Sequence, residues 1–162
     1  MLQINKLPEE KWDDFKSLRL EALQKDPLAF GSSYTEEIEF TEDIWKNRLQ
    51  NTLFAIQENK LIGMVSFLVN QKSKLNHTAE IYGVYVKYEF RNKKIGKQLI
   101  ETAINLIRQN RTIKKIKLVV TAIQESAVNL YIQLGFEIVG TLKNELKVDD
   151  NFYDALVMEK IF

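Results

Sequence analysis

The sequence predicts one mixed α/β domain over residues 1–162, a sheet with helices covering it. Apolar runs of strand length recur along the chain, and stretches with helical apolar spacing separate them. No internal repeat, low-complexity tract or Gly/Ser linker divides it. A length of 162 residues suits a single core, and 45% hydrophobic with 28% charged residues is a globular balance.

Leu2 to Leu7 alternates apolar and polar and reads as a short strand. Pro8-Glu9-Glu10 opens a helix, with proline in the first turn and carboxylates near the positive end of the dipole. Trp12, Phe15, Leu18, Ala22 and Leu23 form its apolar stripe, and Asp26-Pro27 closes it. Phe30 to Ser33 is a loop, followed by two shorter helical pieces carrying Tyr34, Ile38, Phe40, Ile44, Trp45 and Leu49. Leu53 to Ile56 and Leu61 to Val69 read as a hairpin about Glu58-Asn59-Lys60. Thr78 to Lys87 is a third long strand. In the helix Lys94 to Arg108, Ile95, Leu99, Ala103, Leu106 and Ile107 share one face. Ile116 to Val120 is a short buried strand. Glu125 to Leu134 is helical and stopped by Gly135 at its C-cap. Phe136 to Leu142 and Phe152 to Lys160 close the sheet.

Composition excludes several functions. No apolar run approaches the roughly 20 residues needed to cross a bilayer, and the N-terminus lacks the pattern of a signal peptide, so the cytoplasm is the expected compartment. There is no cysteine for thiolate chemistry, and one histidine, His77, in a polar loop, so no metal site is expected. The net charge of +1 hides a segregation: residues 87–119 hold ten basic and two acidic side chains, while both flanks are net negative. Such a stretch suits an anionic partner. Nucleic acid is disfavoured, because residues 91–117 lack interleaved aromatics and contain a complete apolar helix face.

One junction carries chemistry. The strand Ile81 to Val86 runs into Arg91-Asn92-Lys93-Lys94-Ile95-Gly96-Lys97, which opens the central helix. Strand–turn–helix junctions gather free backbone N–H groups at the positive helix end, and basic side chains there make a diphosphate seat. Gly96 lets a ligand come close to the backbone. A P-loop is rejected, since Arg91 and Gln98 stand where glycine and Ser/Thr are needed. A G-x-G-x-x-G fingerprint is also absent.

Arg91 to Gly96 resembles instead the [QR]-x-x-G-x-[GA] acyl-CoA motif of the GNAT superfamily of N-acetyltransferases, with Lys94 at the first glycine position. Ala127-Val128-Asn129-Leu130-Tyr131-Ile132-Gln133-Leu134-Gly135-Phe136 is similar to that family's A-x-x-L-Y-x-x-L-G-F run, with Gln124 where asparagine is common. The tail Phe152 to Lys160 resembles its closing strand. The resemblance covers residues 50–162, and the N-terminal third by element order. It implies a mostly antiparallel central sheet and acetyl-CoA as co-substrate. Arg91, Asn92, Lys93, Lys94, Ile95, Gly96, Lys97, Gln124 and Ala127 would hold that co-substrate, together with the strand Val84, Tyr85 and Val86. A homodimer is compatible with it.

Attack of a neutral amine on a thioester needs a base, an oxyanion donor and a proton for the leaving thiolate. Without cysteine, direct transfer is expected rather than a covalent acyl-enzyme. The resemblance gives Tyr131 the general-acid role; the competing reading is packing between helix and sheet. Glu80, a carboxylate in an apolar strand, is the candidate base if it is buried; the alternative is an outward-facing side chain. A strand N–H around Val84–Val86 would face the oxyanion if Gly83 marks a bulge. The resemblance places the amine beside the early helices, where Phe30, Tyr34 and Glu37 combine aromatics with negative charge suited to a cation. Glu37 stands with Glu36, Glu39, Glu42 and Asp43, however, and carboxylates in such a run are more often the solvated face of a helix. An acyl-CoA-binding module without catalysis is the remaining alternative.

Overall fold

Alternation sends Leu53 and Ala55 to one side of a sheet and Phe54 between them to the other, so the strands separate two apolar cores. The computed structural model describes residues 1–162. In chain order the elements are β1 (Gln3–Asn5), α1 (Trp12–Lys25), α2 (Tyr34–Glu37), α3 (Glu42–Leu49), β2 (Thr52–Gln57) and β3 (Lys60–Val69). They continue with β4 (Thr78–Val86), α4 (Ile95–Arg108), β5 (Lys115–Thr121), α5 (Glu125–Gln133), β6 (Glu137–Val148) and β7 (Asn151–Ile161). The seven strands form one sheet in the order β1-β2-β3-β4-β5-β7-β6. Every pairing is antiparallel except β4 with β5.

On one face α4 buries Ile95, Leu99, Ile100, Ala103, Ile104 and Ile107 against β2 to β5, joined by Val128, Tyr131 and Leu134. Its periodicity is the clearest in the chain, and the stripe faces the sheet as amphipathicity requires. On the other face, Phe15 of α1 meets Trp45 of α3 and Phe54 of β2 edge-to-face, each with ring centroids 5.4 Å apart. α1 begins one turn later than its proline suggests, because Glu9–Lys11 forms a 3₁₀ turn first. Gly135 takes φ +87° after α5, the left-handed stop expected of it. The last hairpin is longer than the apolar pattern indicates: β6 runs on to Val148, on mostly exposed residues. No helix is long and apolar enough to cross a membrane.

Candidate active site

The site begins where two parallel strands part. β4 and β5 pair only from Thr78 to Glu80 with Lys115 to Lys117. Beyond that point β5 stays with β7 through Thr121, while β4 bends away. The bend is a bulge: Tyr82 pairs with Ser66 and Tyr85 with Met64, so Gly83 and Val84 share the single place opposite Val65. Gly83 sits at φ +63°, and a Cβ there would lie 3.1 Å from Arg19 Nη1. Glycine thus satisfies both the backbone and the close guanidinium. Lys87 N–H donates to Ile62 O of β3, so alternation turns the main-chain groups of Val86 the other way, into the gap.

The gap is a cleft of about 1540 Å³, walled by β4, the end of β5, the starts of α4 and α5, and the Phe30 loop. Val84, Tyr85, Val86, Arg91, Asn92, Lys94, Ile95, Gly96, Lys97, Gln124, Ala127, Tyr131, Glu80 and Phe30 all line it. The basic junction is helix start, not strand: Asn92 and Lys94 adopt φ +62° and +61°, and α4 follows directly. Gln98 is the first residue to donate back into the helix, to Lys94 O. The N–H groups of Ile95, Gly96 and Lys97 therefore point out of the helix end. A Cβ on Gly96 would meet only ordinary contacts, at 3.7 Å from Leu130 and 3.8 Å from Val86. The chain's own packing does not require glycine there; its absent side chain leaves amides open to the cleft. These features fit an anionic diphosphate.

Lys94 holds the left-handed conformation that a glycine would adopt freely, at a cost of about 1–2 kcal/mol for an L-residue. Lys94→Gly is expected to raise unfolding stability by roughly 0.5–1 kcal/mol, since extra unfolded-state entropy offsets part of the relief. Urea denaturation checks this; a drop in stability would show that the lysine stem contributes more than its strain.

Other residues depart from expectation. Arg91 donates through Nε to Val86 O (2.9 Å) and through Nη2 to Asp26 (2.6 Å), so its guanidinium braces the end of β4 against the end of α1. Lys93 lies outside the cleft, 5.2 Å over the Phe90 ring. Glu80 is not sealed in the sheet: its side chain is 36% exposed, with Lys117 Nζ at 4.0 Å, because it faces away from the α4 core. Tyr34 packs with the α1–α3 core and does not reach the cleft. Glu37 is corrected most. It is 1% exposed and accepts two hydrogen bonds from Arg19, at 2.9 and 2.8 Å, so it offers no free negative charge to a cation. Residues that the sequence reading missed, Arg19, Arg48 and Tyr82, line the cleft instead. The signal for Arg19 was a charge inside the apolar stripe Phe15-Leu18-Ala22.

Tyr131 is 7% exposed, edge-on to Phe136 at 6.0 Å, and its hydroxyl makes no hydrogen bond within the protein. Burial pushes its pKa up to about 12, so it keeps its proton at neutral pH.

Comparison with known proteins bears on the family and the fold. The family model described as Acetyltransferase (GNAT) family matches residues 12–136. The L-amino acid N-acetyltransferase AaaT of Escherichia coli K12 is 24% identical over 126 residues, covering 75% of this chain and 77% of that protein. An acetyltransferase of the GNAT family from Streptococcus pneumoniae superposes with a TM-score of 0.88 at 22% identity, over 100% of both chains. The yncA protein of Salmonella typhimurium, solved with its cofactor acetyl-CoA, gives 0.81 at 15% identity, over 99% of this chain and 94% of its own.

Proposed function

The chain belongs to the GNAT acetyltransferase family, and from that premise we propose that it moves an acetyl group from acetyl-CoA to a primary amine by direct attack in a ternary complex. The observation that carries this reading is one cleft holding a helix N-terminus with open amides, a bulged strand edge and an unpartnered tyrosine hydroxyl. Acetyl-CoA supplies the activated thioester.

The amides of Ile95, Gly96 and Lys97, with the charges of Lys94 and Lys97, bind the diphosphate. Gln124 and Ala127, on the opposite wall at the start of α5, border the same cofactor path. The edge of β4 at Val84 to Val86 presents N–H groups to an extended acyl arm and to the carbonyl oxygen as it gains charge. Glu80 is open to solvent rather than buried, so its part is to accept the amine proton by way of a cleft water as an exposed carboxylate. As the C–N bond forms and the C–S bond breaks, the Tyr131 hydroxyl donates to the departing sulfur. Arg91 is a positioning residue: it fixes the carbonyl of Val86 from one side. The lack of cysteine is consistent with direct transfer. The name of the E. coli relative makes amino acids the first acceptors to test, ahead of polyamines, aminoglycosides and peptide amines.

A thiol-release assay with acetyl-CoA and an amine panel tests the proposal. Saturable, amine-dependent release is expected, together with acetyl-CoA binding in the micromolar range. Binding without release against every amine would establish an acyl-CoA-binding module instead.

A further inference from the structure

The acceptor side of the cleft is positively charged, and it is built rather than incidental. Arg19 is buried, with a side chain 6% exposed, yet Glu37 uses only its Nε and Nη2. Its Nη1 makes no hydrogen bond and lies against Gly83, at the bulge. Phe30 stacks beneath the same guanidinium at 4.6 Å and fixes its plane. Arg48 approaches Glu37 from the other side, with Nη1 3.0 Å from Oε2, an ion pair whose angle gives no hydrogen bond, and that buried nitrogen makes none elsewhere. Phe40 and Trp45 hold the Arg48 guanidinium at 5.5 and 5.4 Å. Tyr82 adds a hydroxyl with no protein partner, within the field of both arginines.

Two guanidiniums share one carboxylate, which leaves one net positive charge and at least two unengaged N–H donor groups. Desolvated charge of this kind is costly unless something answers it. Glu80, the remaining carboxylate on that stretch of β4, has Lys117 beside it. A cationic acceptor such as a polyamine would meet repulsion at this wall. A carboxylate would complete it with charge-assisted hydrogen bonds in planar, forked geometry.

We propose that Arg19 and Arg48, held by Glu37, bind the carboxylate of the acceptor, and that the acceptor is a short free amino acid rather than a polyamine or peptide amine. The reach is set by the bulge. Arg19 Nη1 lies beside Gly83, next in the chain to the Val84 to Val86 edge where the reacting carbonyl would lie, so a carboxylate held there suits an acceptor whose amine is only a few bonds away. A peptide N-terminus lacks that carboxylate, and so does an amino acid amide. The inference rests on the acetyl-transfer reading above for its direction, but the charge pair itself is independent of turnover.

The test pairs L-α-amino acids (alanine, leucine, phenylalanine, glutamate) with their α-carboxamides and with spermidine, in two assays. In the first, kcat/KM is measured with saturating acetyl-CoA. The acids are expected to exceed their amides by about 10- to 100-fold, the scale of hydrogen bonds to a charged group. In the second, the N-acetyl amino acids and N-acetyl amino acid amides are titrated into protein holding CoA, which reads carboxylate recognition even if no amine turns over. Arg48→Gln, at the more exposed arginine, is expected to reduce the acid-to-amide ratio in both assays, through KM more than kcat. Arg19→Lys serves as a second variant only where unfolding curves show it intact, and should likewise lower the ratio. Amides or spermidine equal to or better than the acids, or a ratio unchanged in Arg48→Gln, would overturn the proposal. Absence of any acetyl transfer alongside preferential binding of the N-acetyl acids would overturn the enzymatic reading and leave the carboxylate site standing.

Discussion

Replacing Tyr131 with phenylalanine is expected to lower kcat by about 100-fold while leaving the fold and the affinity for acetyl-CoA nearly unchanged. The separation follows from what the hydroxyl touches. Its ring is buried and packs edge-on against Phe136, contacts that phenylalanine keeps. No protein group would lose a hydrogen-bond partner, so unfolding stability should stay within about 0.5 kcal/mol. What disappears is the donor that meets the leaving sulfur. Loss of an interaction made as the C–S bond breaks lowers kcat and kcat/KM together and spares binding. A pH profile sharpens the test. A tyrosine in water starts to ionise near pH 10. Burial raises the pKa of Tyr131 to about 12, so the wild type should keep its kcat on the alkaline side up to about pH 10 as far as this group decides it. Unchanged kcat in the folded variant would remove Tyr131 from the chemistry and return it to packing.

The elements that position this tyrosine were legible in the chain because each rests on local physics. The α4 stripe has helical spacing, Gly135 ends α5 by a backbone conformation few residues tolerate, and Gly83 interrupts an apolar strand where a bulge falls. Residues whose roles depend on distant partners were not legible. Glu37 stands among Glu36 and Glu39 and reads as part of a wet acidic face; its burial follows from Arg19, eighteen positions away, and from Arg48. Arg91 has the spacing of a phosphate ligand, yet Asp26, 65 residues earlier, draws its guanidinium onto the α1 end. Glu80 alternates correctly for a sheet face, but no periodicity says that this face is open to solvent and to Lys117. The second half of β6 was missed because the polar run Lys143-Asn144-Glu145 breaks the apolar alternation before it resumes at Leu146 and Val148. The net effect reverses the sign of the acceptor wall. Sequence showed acidic residues near aromatics, whereas the fold cancels the decisive carboxylate with two cations.

Glu37→Ala carries the largest expected effect on stability, a loss of about 3–5 kcal/mol, because it removes the one anion between two guanidiniums. Arg19 is almost wholly buried at the edge of the cleft, and the Arg48 nitrogen beside Glu37 is buried with no hydrogen bond. Glu37→Gln keeps the shape and one acceptor oxygen, so its loss should be smaller, with both variants measured by urea denaturation at pH 7. The same pair predicts a pH dependence. Burial pushes the Glu37 carboxyl up, but the hydrogen bonds and charge of Arg19, and then the nearby Arg48 guanidinium, outweigh it and hold the pKa below the ordinary value of 4.5. A carboxylate whose folded pKa is lowered contributes stability that is complete above its unfolded pKa and is lost as pH falls through the folded one. Wild-type stability should therefore decline below about pH 4.5 more steeply than that of Glu37→Gln, whose amide has no proton to gain there. Parallel decline of the two proteins across that window, or Glu37→Ala as stable as wild type, would mean that water rather than Glu37 neutralises the arginine pair. In that case the positive wall would be hydrated and weak. If Glu37 does hold the pair, the cleft keeps one net positive charge, and that is the premise of the proposed preference for an acceptor bearing a carboxylate.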